Sequence, residues 1–154
     1  MKTFLVTIFS IFALHFGLAQ TQWHTIEEAI EIQKTEPNKK MFIDVYADWC
    51  GPCKLLDSET FGNAQVADSL NKYFIPVKMN AEKQKDFVFN GRKYELLSSS
   101  DGRKMNLFVY LAFQNLGFSS YPTCLFVNSE GQITNYTRGY LQPEQILPVL
   151  IENK

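Results

Sequence analysis

Apolar and polar positions along this chain follow two periods, and the switches between them mark out the elements. Ile26, Ala29 and Ile30 recur at helical spacing before Pro37. Thr25 with Glu28 three residues on has the spacing of a capping box, so a helix is predicted to start there. Met41 to Ala47 is almost uninterruptedly apolar and includes Phe42, Ile43 and Val45, the pattern of a strand covered on both faces, with Asp44 as its exception. A helix is expected from near Cys50 through Leu55 and Leu56 until Phe61-Gly62-Asn63 interrupts it. Asn63 can cap the next helix, which carries Val66, Ala67 and Leu70.

Phe74 to Asn80 reads as the next strand, with Pro76 near its start. Phe87–Phe89 and Arg92–Tyr94 flank Asn90-Gly91, a strong hairpin signal. Ser98 to Gly102 is expected to be a loop, and Met105 to Leu116 a strongly apolar helix closed by Gly117. Pro122 to Val127 and Ile133 to Tyr140 are predicted strands joined by a turn at Asn128–Gly131. A last helix opens at Pro143, a favoured first-turn position, with Pro148 expected to kink it or limit its regularity. Helices between the early strands imply parallel pairing, and the final tight turn implies an antiparallel pair. The expected fold class is therefore α/β, a mixed central sheet with helices on both faces.

Composition adds bounds. The chain has 154 residues, 45% of them apolar and 20% charged, which suits one domain with a real core. Its formal net charge of −1 argues against a general nucleic-acid binder. Lys2, the apolar stretch Phe4 to Phe16 and the small residues Gly17 and Ala19 have the pattern of a secretory signal cut after Ala19. The stretch is short for a membrane span, which takes roughly 20 residues. Residues 1–19 are thus expected to be a signal peptide, residues 20–154 a single domain, and the destination the periplasm or the cell exterior.

Three cysteines are too few for a disulfide-stapled scaffold, and two of them form Trp49-Cys50-Gly51-Pro52-Cys53-Lys54 between a predicted strand and a predicted helix. A cysteine at a helix N-terminus meets unpaired N–H groups that favour the thiolate, the attacking species in disulfide exchange. A free cysteine titrates near ~8.5, and such sites hold it at roughly 3.5–7.5. Gly51 eases the tight approach of the sulfurs, and Pro52 suits a first turn. Two other readings of the pair stand beside redox chemistry. One is half a zinc site, for which a second pair is missing; the other is an inert structural disulfide. Cys124, on a predicted core strand, reads as a buried inert thiol rather than a third redox centre.

Asp44-Val-Tyr-Ala-Asp-Trp-Cys-Gly-Pro-Cys-Lys54 resembles the thioredoxin family, and the resemblance extends over roughly Trp23 to Asn153. Val77–Asn80 looks like that family's next strand, Tyr121-Pro122-Thr123 like its cis-proline loop, and Gly139 like its glycine after the last strand. Tyr46–Cys50, with Glu59-Thr-Phe61 and Val66, looks closer to one branch. That branch includes the C-terminal periplasmic domain of the membrane reductant conductor that feeds disulfide isomerases. The chain departs from thioredoxin proper at Tyr46, at the break after Phe61, and by an insertion from about Gln84 to Lys104 ahead of the third helix.

The resemblance implies a thioredoxin fold and a thiol–disulfide oxidoreductase. Cys50 matches the attacking cysteine and Cys53 the resolving one. Asp44 matches a buried aspartate that assists proton transfer, and burial on its strand should raise its pKa. A strand-edge Asp satisfied by a donor or water is the alternative. Lys78 matches a lysine near that aspartate, or is a solvated strand lysine. Trp49, Gly51, Pro52, Tyr121 and Pro122 match the substrate groove, with Trp49 as a packing aromatic in the other reading. The resemblance implies no cofactor beyond the Cys50–Cys53 disulfide, no metal, and a monomer acting on disulfide-containing exported proteins, with a membrane electron donor in view. The Gly-Pro dipeptide leans towards a reductase. The rival function is a non-catalytic thioredoxin-fold binding module, for a protein partner or a soft metal such as Cu(I). The insertion is either a partner-docking flap or a cover for the apolar helix Leu107–Phe113.

Overall fold

The computed structural model describes residues 20–154, so the signal segment expected over residues 1–19 lies outside the described residues. The elements run α1 (Ile26–Thr35), β1 (Lys40–Tyr46), α2 (Gly51–Leu55), a π-helical turn (Leu56–Thr60), α3 (Ala64–Tyr73) and β2 (Phe74–Asn80). They continue with β3 (Phe87–Phe89), β4 (Arg92–Tyr94), β5 (Leu96–Ser98), β6 (Lys104–Asn106), α4 (Leu107–Leu116), β7 (Thr123–Val127), β8 (Ile133–Arg138) and α5 (Pro143–Glu152). The main sheet has the order β2-β1-β7-β8. β1 pairs parallel with β2 and antiparallel with β7, and β7 pairs antiparallel with β8.

Alternation along β1 divides the interior. Met41, Ile43 and Val45 join α1 and α4 in one core, with Ile26, Ala29, Val109 and Phe113. Phe42 faces the other way, onto Leu56, Phe61, Val66, Leu70 and Ile146 of the π turn, α3 and α5. Phe42, Phe61, Phe74 and Phe126 meet there mostly edge to face, with Phe42–Phe126 centroids 5.3 Å apart.

Local chemistry explains most boundaries. The Thr25–Glu28 capping box forms, and the Asn63 side chain accepts from the backbone N–H groups of Gln65 and Val66. Between them the π turn closes so tightly on Gly62 that a Cβ there would lie 2.5 Å from the Ser58 carbonyl oxygen. The expected hairpin at Asn90-Gly91 forms between β3 and β4.

Two expectations are corrected. The apolar helix begins at Leu107 rather than Met105, because Asn106 caps it by accepting from the Phe108 N–H at 2.9 Å. Met105 belongs instead to β6, and the expected loop over Ser98–Gly102 is the bend of a second hairpin, β5–β6. α5 runs continuously across Pro148. Pro148 and Glu144 both lie on the exposed face, so the carbonyl the proline leaves unbonded faces water.

The insertion has two parts with different roles. Phe87 and Tyr94 of β3–β4 stack on each other and pack on Phe108, so this hairpin covers α4. β5–β6 instead stands beside the end of the molecule that carries Trp49.

Candidate functional site

The end of β1 delivers Cys50 to the start of α2. Cys50 is the N-cap residue, and its sulfur accepts from the Cys53 N–H at 3.2 Å. The two cysteines form a disulfide, with Cα atoms 5.3 Å apart. Both are 3% exposed, packed with Ala47 and against Tyr46 and Tyr121. Gly51 and Pro52 are exposed above them. A Cβ on Gly51 would meet no atom within 4 Å beyond its chain neighbours and its own helix.

Trp49 is 69% exposed, which removes the packing-aromatic reading. Its indole N–H donates to the Glu82 carboxylate at 3.0 and 3.1 Å, and its ring meets Tyr121 edge to face at 5.7 Å. The Tyr121–Pro122 peptide bond is cis. The loop is tied to the end of β8 by the Gly139 N–H, which donates to the Pro122 carbonyl at 2.8 Å. Gly139 has φ 77°, a left-handed conformation that suits glycine. Tyr121 Oη is buried with no hydrogen-bond partner among the described residues. Burial, with the Glu82 charge nearby, pushes its pKa up to about 12.

A polar row crosses the sheet that leads to the disulfide. β-register places Lys78 and Cys124 on either side of Asp44, and Thr137 beyond Cys124. Asp44 is fully buried. Lys78 Nζ donates to Asp44 Oδ2 at 2.7 Å and also to Asp57 of the π turn. The Cys124 thiol donates to Asp44 Oδ1 at 3.8 Å. The rings of Trp23, Tyr46 and Phe61 surround the Lys78 ammonium at 4.7 to 5.3 Å. Lys78 is therefore not a solvated strand lysine, and Asp44 is not a strand-edge carboxylate.

Burial raises the Asp44 pKa above the usual carboxylate range, and the Lys78 charge only partly offsets it. Burial pulls Lys78 down, but the carboxylates of Asp44 and Asp57 outweigh it, so its pKa moves up. Asp57 is the second carboxylate on Lys78. Its side chain is 46% exposed against 1% for Asp44, so the ammonium touches one buried and one half-exposed carboxylate. Burial, then the Asp44 charge, pushes the Cys124 thiol well up, which keeps it protonated and unreactive as a nucleophile.

The structure thus brings Cys50, Cys53, Trp49, Gly51, Pro52, Tyr121 and Pro122 to one end of the sheet, with Asp44 and Lys78 inside it. Sequence reasoning missed Asp57 and Glu82. Asp57 lies four residues after Cys53, on the same helical face, which is a usable signal. Nothing in the spacing of Glu82 links it to Trp49. Among the described residues no three His, Cys, Asp or Glu side chains converge as metal ligands would. No described helix is long and apolar enough to cross a membrane.

Known proteins resemble this chain over most of its length. Residues 26–153 match the Thioredoxin-like domain family. The thiol:disulfide interchange protein DsbD of Escherichia coli O6:H1 is 28% identical over 121 residues, covering 74% of this chain and 18% of that protein. The chain thus spans under a fifth of that relative's length. The solution structure of a candidate disulphide-isomerase from Bacteroides thetaiotaomicron is 27% identical and covers 87% of this chain and 93% of its own, with TM-score 0.56. The oxidised C-terminal domain of Neisseria meningitidis DsbD shares the fold, with 17% identity, TM-score 0.54, and coverage of 83% of this chain and 91% of that domain.

Proposed function

Because this chain belongs to the thioredoxin-like domain family, we propose that it is an exported thiol–disulfide oxidoreductase that reduces or isomerises disulfides in other exported proteins. The observation that carries the reading is the Cys50–Cys53 disulfide at the start of α2, in a chain whose preceding strand holds the buried Asp44 paired with the part-buried Lys78. The first 19 residues support export by their pattern.

In the reduced protein the Cys53 N–H that now faces Cys50 Sγ stabilises a Cys50 thiolate. That thiolate attacks one sulfur of a substrate disulfide. A Cys50–substrate disulfide forms, and the second substrate sulfur leaves as a thiolate that takes a proton. Cys53, losing its proton with help from Asp44, then attacks Cys50 Sγ. The Cys50–Cys53 disulfide closes and the substrate leaves with both sulfurs reduced. Two electrons pass in total, and a dithiol donor restores the protein. In isomerisation the released substrate thiolate attacks another disulfide of its own chain, and the thiolate this frees attacks the substrate sulfur bound to Cys50, which re-forms a substrate disulfide and releases Cys50 as a thiolate with no net electron transfer. Trp49 and the Tyr121–Pro122 loop frame the entry, and a single chain carries every group required.

The test is turnover of a disulfide peptide with dithiothreitol as donor. Cys50→Ser should abolish turnover, and Cys53→Ser should accumulate a protein–peptide adduct visible by mass. Full activity in both variants would overturn the mechanism.

A further inference from the structure

We propose that the β5–β6 hairpin of the insertion makes a second wall of the substrate site, and that the resulting cleft takes an extended polypeptide with an apolar residue beside its disulfide and an acidic residue further along. This rests on the oxidoreductase reading and adds the substrate class.

A cleft of about 760 Å³ opens beside the disulfide, continuous with the redox site because Trp49 and Tyr121 line it. Its far wall is Leu97 and Met105, a cross-strand pair of the hairpin, and its floor includes Tyr110 of α4. Leu97 is 38% exposed and Tyr110 45%. With Trp49 they place three large exposed hydrophobic side chains around one opening, an arrangement that marks a binding surface. The space far exceeds what a disulfide alone needs.

Two features select a polypeptide. The apolar wall of Leu97, Met105 and Tyr110 suits one large side chain. Lys104 lines the hairpin end, and among the described residues no carboxylate lies within ion-pair distance of it, so that end favours an acidic side chain. Arg103 beside it is already paired with Asp101. The end near the disulfide carries Glu82, which is held by Trp49, so the cleft is polarised along its length.

The test compares a small disulfide and a pair of peptides, three oxidised probes in all, on the reduced full-length protein. One is 2-hydroxyethyl disulfide, too small to reach the hairpin. The others are a cyclic disulfide peptide with Phe beside one cysteine, followed by Glu, and a matched peptide with Lys in place of Glu. Tyr110→Ala should lower the rate on the Glu peptide about 5- to 10-fold. It should leave the small disulfide within about twofold of wild type. Lys104→Glu should slow the Glu peptide about threefold and speed the Lys peptide. A charge reversal of preference is not an effect of misfolding. Variants that match wild type on every peptide, or that slow the small probe equally, overturn the cleft. Wild-type protein that reduces none of the probes overturns the oxidoreductase reading itself, and the cleft proposal with it.

Discussion

A carboxylate closed off from water inside a sheet pulls against the fold whenever it is ionised, and Asp44 is in that position. Burial raises its pKa in the folded protein above the ordinary value of ~3.9. The sign follows from linkage: a group whose folded-state pKa is raised contributes stability that is complete below ~3.9 and is lost as pH rises through its own higher pKa. Asp44→Asn keeps the shape and removes the charge. The variant should therefore melt higher than wild type at pH 8, by a few degrees, and the gap should shrink towards pH 4. Thermal melts of the disulfide form at the two pH values decide this, and an equal gap at both would show that Asp44 is not the titrating group. The same variant should slow release of a trapped Cys50–substrate disulfide, since Asp44 is proposed to assist Cys53. The sequence already marks Asp44 as an outlier in an apolar strand. Its tie through Lys78 to Asp57 is not legible there, because 21 residues separate Lys78 from Asp57 and only the closure of the π turn brings them together.

Among the elements, α4 shows how one polar side chain holds an insertion in place. Asn106 is fully buried, caps α4 through its oxygen, and sends its amide N–H groups towards the carbonyls of Gln84, Lys85 and Tyr94 at 3.3 Å each. It therefore joins the start and the middle of the insertion to the helix they precede. Asn106→Ala removes a cap and takes a donor from part-buried carbonyls. The expected cost is about 2–4 kcal/mol, read from urea unfolding. A loss below about 0.5 kcal/mol, the scale of an ordinary surface change, would mean the insertion is held by its aromatic contacts alone. The hairpin at Asn90-Gly91 was readable because its turn chemistry is local. The β5–β6 hairpin was not, since Leu96–Ser98 and Lys104–Asn106 are three-residue strands with no turn residues of defined type beyond Gly102.

For the whole molecule, the quantity that sets direction is the reduction potential of the Cys50–Cys53 pair. This fold hosts potentials from roughly −270 to −120 mV. The Gly-Pro dipeptide, resembling that of thioredoxin, leads us to expect a value near about −270 mV on equilibration with a thiol buffer. Such a protein reduces substrates and needs an electron donor wherever the surroundings are oxidising. A value near about −120 mV would make it an oxidant, and the reductase direction would be withdrawn.

The sequence alone determined the alternation of buried strand and amphipathic helix, the caps at Thr25 and Asn63, and the pairing chemistry of Cys50 and Cys53. Each of these depends on residues within a few positions of one another, so periodicity and spacing carry them. Tertiary structure decided what depends on distant segments meeting. It set the polar row Lys78–Asp44–Cys124–Thr137, which is created by strand register between β2, β1, β7 and β8. It placed Glu82 on Trp49 and opened the cleft between Tyr121 and the β5–β6 hairpin. A local pattern can state that a side chain will be buried, but its neighbours across the sheet are selected by the packing of the whole chain.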